Sequence, residues 1–455
     1  MSDLYLLLTA LAILISLFIS YRRTRDPLSP LMIFAPMLGY AFCFHVYVVI
    51  SHPKFSSFLP NTANVEFVLS VHLLSITAFC AGICYYRRSP TDQQQFQILD
   101  REASARVRSR FLELGIILGT MACVSFWWMI FSVGGPLKLL YQSKPSFGHN
   151  PGYLGEMPML AFPALFLMAA AWQGQRLNFQ RLMLAIYVAS TQISMSIIGK
   201  RRGTIFITVA SLAAFWHIVK NQKPNWKAMI AGVCALGLVL LYIAANRSSG
   251  TLLDFGEGST QRLATTLMHA GDLEGGDEFI SAAGVILTSD RFQNHYWGKR
   301  FFVTLFIRPI PSFIWPSKWT FFGLNALRTQ PGGGGMSKNL WMEAVGYETT
   351  GGSATGFLAD AFLEWSWGGI IACYCLGRGF GWLWKKWVSR GGVWTVIYAE
   401  AMILSIFLPS QSLGAWLYRF LLLSIPTMFA FKLLRVRKTR TIAPSNQPPL
   451  RMQSF

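Results

Sequence analysis

The feature that most constrains the fold is a series of apolar runs, each long enough to cross a membrane, with the basic residues placed in the gaps. A span needs about 20 mainly apolar residues. Only 13% of the 455 residues are charged, whereas soluble domains carry about 25%. The pattern predicts an all-α polytopic membrane protein of about eleven transmembrane helices. The predicted spans are residues 4–20, 28–50, 64–86, 111–133, 157–173, 182–199, 203–219, 228–245, 356–377, 394–409 and 413–434.

Lysine and arginine are concentrated in alternate gaps, and this alternation predicts the orientation of the chain. The only lysines and arginines in the gaps 51–63 and 134–156 are Lys54, Lys138 and Lys144. Short cytoplasmic loops carry the excess of basic residues in membrane proteins. We therefore expect the N-terminus outside and the C-terminus in the cytoplasm. The basic gaps are those at 21–27, 87–110, 174–181, 220–227 and 378–393, together with the C-terminal tail.

The net charge of +20 would also suit a nucleic-acid partner. Its distribution argues against one, because the positive residues occupy short loops beside apolar spans, where they face an anionic inner leaflet. The first apolar run, Leu4–Ser20, lacks a basic n-region and a small-residue cleavage site, and Tyr21-Arg22-Arg23 follows it. We expect it to remain as the first helix of the bundle.

Four regions are predicted. Residues 1–245 form an N-terminal eight-helix membrane region and residues 246–355 a long outer loop. Residues 356–434 form a three-helix membrane region, and 435–455 a basic cytoplasmic tail. The loop is rich in Trp, Phe and Gly, so we expect it to fold with short helices and to cap a site. Its tryptophans suit two roles equally, as platforms for sugar rings or as membrane anchors.

A basic triplet, Lys200-Arg201-Arg202, falls on the outer face, where the distribution of charge disfavours cations. It lies between the sixth and seventh spans, at a helix N-terminus, which is a favourable place for a phosphate. Arginine binds phosphate oxygens in a bidentate manner. The alternative is a tight turn whose side chains reach the lipid headgroups. Arg247 and Arg308 are further outer cations, and Arg247 also suits a simple anchor.

Acidic residues and one arginine lie inside the predicted spans, where ionisable groups normally face a cavity or a partner. Asp360 and Glu364 are four residues apart on one helix face. Either could act as a general base for a sugar hydroxyl. Alternatively, they pair with Arg419 or with the basic triplet to hold helices together. Glu400 is predicted to be structural, and His269 and His295 are alternative bases.

Several short stretches carry a resemblance to a known family. They are the basic turn Gly199-Lys200-Arg201-Arg202-Gly203, the loop segment Pro311-Ser312-Phe313-Ile314-Trp315-Pro316, the helix entry from Thr355-Gly356 to Glu364-Trp365-Ser366-Trp367-Gly368, and Arg419. Together they resemble the Wzy-type oligosaccharide repeat-unit polymerases, the O-antigen polymerases, and more distantly the O-antigen ligases. The predicted arrangement of spans and long loop resembles that of the family over the whole chain.

The resemblance implies an all-helical enzyme of the bacterial inner membrane, for exopolysaccharide or lipopolysaccharide synthesis, with a site open to the periplasm. Such an enzyme transfers a growing glycan from undecaprenyl pyrophosphate to a hydroxyl of the next lipid-linked repeat unit, without a metal or another cofactor. By resemblance, Arg202 and Arg419 hold the donor pyrophosphate; the basic turn offers Lys200 and Arg201 as alternatives to Arg202 for this contact. His295, Arg300 and Arg308 in the long loop cap the site, and Asp360 or Glu364 is the base. A flippase and a chain-length regulator are the implied protein partners.

Two other functions remain open. A ligase would differ only in its acceptor, the lipid A core. A secondary transporter would use Glu400, Asp360 and Arg419 in an ion-coupled pathway. The sequence shows no repeat symmetry of the kind that many transporters have, and this favours the enzyme.

Overall fold

The structure is a computed structural model. It describes residues 1–88, 98–99, 105–136, 156–199, 202–222, 232, 277–307, 310, 314–321, 338–347 and 355–434; at 197–199, 202–203, 319, 338 and 410 the description covers the backbone alone. Within these ranges every regular element is helical. The helices are α1 Ser2–Thr24, α2 Pro30–Gly39, α3 His45–Ile50, α4 Thr62–Cys84, α5 Ala105–Ser132, α6 Ala161–Trp172, α7 Phe179–Gly199, α8 Arg202–Lys220, α9 Glu278–Arg291, α10 Lys338–Val345, α11 Gly356–Trp365, α12 Gly369–Arg390, α13 Val393–Leu404 and α14 Leu413–Leu433. Shorter helical segments are Tyr40–Phe44, Phe55–Phe58, Met157–Leu160, Lys299–Phe302, Val303–Ile307, Lys318–Phe321, Ser366–Gly368 and Phe407–Ser410.

Five of the described helical segments are long and apolar enough to cross a membrane: α1, the segment Pro30–Ile50, α4, α5 and α14. Three shorter apolar helices, Met157–Trp172, Thr204–Lys220 and Val393–Pro409, coincide with further predicted spans. The predicted span at 228–245 lies almost entirely outside the described residues. The chain is therefore an all-α protein with the helices of a membrane protein.

The centre of the bundle is α6, whose residues are buried along the whole length of the helix. It packs against α5, α7 and α8. A helix that is apolar on all sides is stable only where protein or lipid surrounds it. Here protein surrounds it, and α6 forms the middle of the larger hydrophobic core.

Helices α4 and α12 pack closely because glycines line their contact. An added Cβ on Gly377 would collide with the carbonyl oxygen of Phe79, and one on Gly381 would lie 3.2 Å from that of Ile83. Small residues let membrane helices approach in this way. Residue numbers rise together from the first contact to the second, so the two helices run parallel.

The predicted single span 356–377 is wrong, because the structure has two helices there. Helix α11 ends at Trp365, and α12 begins at Gly369. Ser366, which follows α11, has φ 51° and ψ −135°, far from the α-helical region. Gly369 lies so close to the carbonyl oxygen of Ala361 that an added Cβ would be 2.7 Å from it. The two helices therefore form a tight hairpin.

Ring contacts give the direction of α11. Phe357, near its start, contacts Phe79, late in α4, with ring centroids 5.4 Å apart. Phe362, near its end, contacts Phe67, early in α4, at 6.2 Å. Helix α11 thus runs antiparallel to α4 and α12. Its ten residues are too few to cross a bilayer, so it enters the bundle and turns back.

The described parts of the long loop pack against the bundle. Asp277 caps α9 by accepting hydrogen bonds from the backbone nitrogens of Phe279 and Ile280. His45 Nε2 lies 3.1 Å from the carboxylate of the same Asp277, which ties α9 to α3. Helix α9 also packs on α4, α10 and α11, and most of its residues are buried. The described part of the loop is therefore folded and packed on the bundle.

Candidate functional site

Three charged side chains form a buried ion cluster where the loop meets the hairpin. Arg300 belongs to the short helix Lys299–Phe302, and Asp360 and Glu364 lie one turn apart in α11. Arg300 Nη2 is 2.8 Å from Asp360 Oδ1, and Nη1 is 3.4 Å from Glu364 Oε1. The two acidic side chains are 1% and 0% exposed, and the arginine is 16% exposed. The i, i+4 spacing places both acids on one face of α11, as the sequence pattern predicts, and both contact the same cation.

The partner of these acids differs from both partners that the sequence suggested, Arg419 and the basic triplet. It is Arg300, a loop residue 60 positions before Asp360. Sequence spacing gives no information on such a contact, because the loop returns to α11 only in the folded protein. The cluster therefore joins the loop to the hairpin, whereas the expected pairs would have joined membrane helices.

Backbone groups complete the cluster. The backbone nitrogen of Gly298 donates to Glu364 Oε2 at 2.8 Å, and that of Gly414 donates to Asp360 Oδ2 at 3.1 Å. Gly414 is the second residue of α14, where backbone nitrogens have no partner within the helix and favour a negative charge. The two acids therefore fix the start of α14 and the loop turn at Gly298 to the same helix.

The cluster holds two acids for one arginine. Burial works against the charge of Arg300, but Asp360 and Glu364 together raise its pKa above the ordinary value, so the guanidinium stays charged. Arg300 lies closer to Asp360 than to Glu364: its nitrogens are 2.8 Å from Asp360 Oδ1 and 3.4 Å from Glu364 Oε1. Glu364 is therefore the acid that Arg300 holds less closely.

Arg419, in the second turn of α14, has different surroundings. Its Nη1 donates to Gln411 Oε1 at 2.7 Å, and its guanidinium lies over the ring of Phe407, 4.2 Å from the centroid. The carboxylate of Glu156 is 3.7 Å from Nε, outside ordinary hydrogen-bond distance. The side chain is 17% exposed. Arg419 thus lies beside an amide, an aromatic face and the carboxylate of Glu156.

The segment between α13 and α14 connects Arg419 to α11, the helix that carries the two acids. The side-chain oxygen of Gln411 accepts a hydrogen bond from Arg419, and its backbone oxygen accepts one from the backbone nitrogen of Gly356 at 2.9 Å. Gly356 has φ 69° and an added Cβ would be 3.4 Å from the oxygen of Pro409, so glycine suits this entry to α11. The ion cluster and Arg419 are therefore parts of one unit.

The other predicted site residues are placed as follows. Lys200, Arg201, Arg247 and Arg308 lie outside the described residues. Arg202 begins α8, and only its backbone is described. His269 also lies outside that part of the chain.

His295 lies between aromatic rings, 5.9 Å from Phe362 and 6.3 Å from Trp297 between centroids. Neither of its ring nitrogens makes a hydrogen bond to a described residue. Its place beside Phe362 puts it near the acids, since Phe362 lies between Asp360 and Glu364 in α11. His295 therefore remains a neighbour of the cluster without a polar contact to it.

Glu400, predicted to be structural, is buried in α13 and accepts a hydrogen bond from Thr427 Oγ1 of α14 at 2.8 Å. The carboxyl group thus joins α13 to α14. This contact is the kind expected of a structural acid, because buried polar groups are generally hydrogen-bonded.

Sequence reasoning missed three residues that shape the site: Glu156, Gly298 and Gln411. Glu156 closes a predicted outer gap. Gly298 follows Trp297, one of the loop tryptophans considered above, and glycine often marks left-handed backbone. Gln411 lies in the polar segment between the last two predicted spans. None of these signals specifies a spatial partner.

Among the described residues, no three His, Cys, Asp or Glu side chains lie close enough together to hold a metal ion. In comparisons with known proteins, no family model, no curated protein and no solved structure matches the chain. The site is therefore interpreted from its own geometry.

Proposed function

We propose that the protein is a polysaccharide repeat-unit polymerase of the Wzy type, a glycosyltransferase that elongates glycans carried on undecaprenyl pyrophosphate. It works at the periplasmic face of the bacterial inner membrane, with about eleven spans, the N-terminus in the periplasm and the C-terminus in the cytoplasm. The lipid-linked repeat unit is the substrate, and a flippase that delivers it and a chain-length regulator are the expected partners.

The observation that carries the proposal is the common construction of the acid pair and Arg419. Asp360 holds the backbone of Gly414 at the start of α14, and Arg419 lies five residues further along the same helix. A glycosyl transfer from a pyrophosphate needs a cation at the leaving group and a proton acceptor at the incoming hydroxyl. One rigid unit that carries both fixes the distance between them, which is the condition for efficient transfer.

In the proposed reaction, the bond between the anomeric carbon and the phosphate oxygen breaks, and its electron pair leaves with undecaprenyl pyrophosphate. The hydroxyl oxygen of the incoming repeat unit forms the new bond to the anomeric carbon. Its proton passes to the Glu364 carboxylate and from there to water. Arg419 stabilises the negative charge that develops on the departing pyrophosphate, the electrostatic role that contributes most in such reactions.

Within this proposal the residues divide into two groups. Arg419 and Arg202 contact the pyrophosphate, with Lys200 and Arg201 in the same turn as Arg202, and Arg247 and Arg308 belong to the outer rim. Glu364 takes the proton, because its contact with Arg300 is the longer of the two, at 3.4 Å. Asp360 and Arg300 are positioning residues, since their charged groups are committed to each other at 2.8 Å.

The decisive experiment is a product ladder. The purified protein in nanodiscs is incubated with the undecaprenyl-pyrophosphate-linked repeat unit from its own host, and the products are separated by gel electrophoresis. A ladder of repeat-unit multiples supports the polymerase. Transfer that occurs only when lipid A core is added would replace the polymerase by a ligase.

One observation favours a different class of function, a secondary transporter. The break between α11 and α12 resembles the discontinuous helices that form the substrate sites of many transporters. A transporter would give no ladder and no transfer to lipid A core. It would instead move a labelled solute or an ion across the membrane of a sealed proteoliposome, and this result would overturn the enzyme proposal.

A further inference from the structure

Trp297 lies directly beside the ion cluster and is 72% exposed. Its backbone nitrogen donates to the carbonyl oxygen of Glu364 at 2.7 Å, and the next residue, Gly298, donates to the Glu364 carboxylate at 2.8 Å. The tryptophan is therefore attached by its own backbone to the acid that accepts the proton in the proposed reaction.

The backbone at this tryptophan is in an unusual conformation. Trp297 has φ 52° and Gly298 has φ 85°, so two consecutive residues occupy the left-handed region. Glycine adopts this region readily, whereas a bulky side chain does so at a cost in free energy. Such strain persists only where the surroundings impose it, and it occurs preferentially at functional sites. Here the hydrogen bonds to Glu364 impose it.

Other exposed tryptophans of the protein provide a contrast. Trp128 is 68% exposed and Trp216 is 51% exposed, but each lies within a long regular helix. A tryptophan that anchors a helix in lipid needs only an apolar surrounding and no special backbone. Trp297 differs because its backbone conformation and its backbone hydrogen bond fix the residue beside Glu364.

Aromatic neighbours surround the turn. The Tyr296 ring lies 5.5 Å from the Arg300 guanidinium, and Trp365 stacks on Phe301 with centroids 5.2 Å apart. An added Cβ on Gly298 would lie 3.8 Å from the indole nitrogen of Trp365. The Trp297 ring lies 6.3 Å from that of His295, so this turn beside the buried acids is rich in aromatic side chains.

We infer that Trp297 is the stacking platform for the acceptor sugar, the ring whose hydroxyl group loses its proton to Glu364. This inference rests on the proposed function. The electron-rich face of an indole attracts the positively polarised C–H groups of a pyranose ring. A rigid tryptophan loses little conformational entropy when it binds. Stacking beside Glu364 would present a ring hydroxyl to the acid and would make Trp297 a specificity-determining residue for the acceptor.

The test compares Trp297→Ala and Trp297→Phe with Trp128→Ala as the matched control. In the ladder assay, we expect Trp297→Ala to raise the repeat-unit concentration for half-maximal rate about tenfold. The phenylalanine variant retains an aromatic face and should recover much of the loss. The control should match the wild type. In parallel, the soluble repeat-unit oligosaccharide, without its lipid carrier, is titrated against tryptophan fluorescence, and only Trp297→Ala should lose the change.

The outcomes separate the inference from the proposed function. A wild-type ladder with an unchanged half-maximal concentration in Trp297→Ala would overturn the platform and leave the polymerase intact. Absence of a wild-type ladder would overturn the polymerase. In that case, a fluorescence change that the wild type shows and Trp297→Ala lacks would still support sugar stacking at this residue. The same fluorescence change in both proteins would overturn the stacking inference as well.

Discussion

Arg300 and Arg419 lie in one structural unit, yet their surroundings differ in kind. Arg300 contacts two buried carboxylates, one of them at 2.8 Å. Arg419 contacts the amide of Gln411 and the face of Phe407, and its acid neighbour Glu156 is 3.7 Å away. The first arginine faces two carboxylates. The second forms an ion pair with one carboxylate, in which Nε lies 3.7 Å from the acid oxygen.

This difference indicates how the two residues contribute to function. A buried, paired charge holds the segments that carry its partners together, and its removal leaves those partners buried without a counter-charge. Arg419 has one carboxylate neighbour, 3.7 Å from its Nε, so in the proposed function a bound phosphate competes with a weaker ion pair. We therefore expect substitutions at Arg300 to change stability and substitutions at Arg419 to change activity.

The largest effect is expected from Arg300→Met, which leaves two buried acids without their cation. Removing one partner of a buried ion pair costs about 3–5 kcal/mol, and we expect a loss of this size in the free energy of unfolding. The measurement is unfolding of the purified protein by sodium dodecyl sulfate in mixed micelles. Arg291→Met, at an exposed arginine, is the control and should change the value little.

Neutralising the acids sharpens this test. The triple variant Arg300→Met, Asp360→Asn, Glu364→Gln removes the unpaired charges and should recover part of the lost stability, because residues of one network are not additive. If Arg300→Met unfolds like the control, the cluster does not stabilise the protein and the distinction between the two arginines disappears.

The next largest effect is expected at Arg419. Arg419→Ala should lower the rate of polymer formation about 10²–10³-fold, the usual result of removing a group that stabilises developing charge. Lysine should rescue poorly, because a point charge lacks the planar fork that binds two phosphate oxygens. The measurements are the product ladder and the amount of protein in the membrane, which should stay normal. Full polymer length in Arg419→Ala would show that this arginine does not hold the pyrophosphate.

The sequence predicts the class of fold because apolar length and charge position are local properties. The helical character, the apolar segments at α1, α4, α5 and α14, and the shared face of Asp360 and Glu364 all follow from spacing alone. The reversal at Ser366 was missed because hydropathy continues across it. The turn depends on the fit of Gly369 against Ala361, which is a tertiary contact.

The site was harder to predict than the fold, for a related reason. Asp360, Glu364, Arg300 and Arg419 were each selected from sequence, but the pairing among them was not. Arg300 reaches the acids because the loop turns at Trp297 and Gly298, and no periodic pattern marks that return. Contacts between distant segments depend on loop geometry, and a single sequence contains little information about it.

A smaller effect on stability is expected from the hairpin that carries the acids. Gly369→Ala places a Cβ 2.7 Å from the carbonyl oxygen of Ala361, and overpacking of this kind typically costs about 1–3 kcal/mol. Gly379→Ala, in the same helix with open space around it, should stabilise slightly, since alanine favours helix. The unfolding measurement used for Arg300 applies to both variants. Equal stability of the two variants would mean that the hairpin is not tightly packed.

The smallest effect is expected at Glu156. It tests the surroundings of Arg419, as the substitutions at Arg300 test those of the buried cluster. Glu156→Gln removes the acid nearest to Arg419 without a change of size. A partly exposed pair of this kind contributes about 0.2–1 kcal/mol, so donor binding should become about twofold to fivefold tighter, seen as a lower repeat-unit concentration for half-maximal rate. Asp290→Asn, at an acid in α9 of the loop, is the control. A loss of activity in Glu156→Gln would mean that Arg419 needs its acid as Arg300 needs its own, and the two arginines would then have the same role.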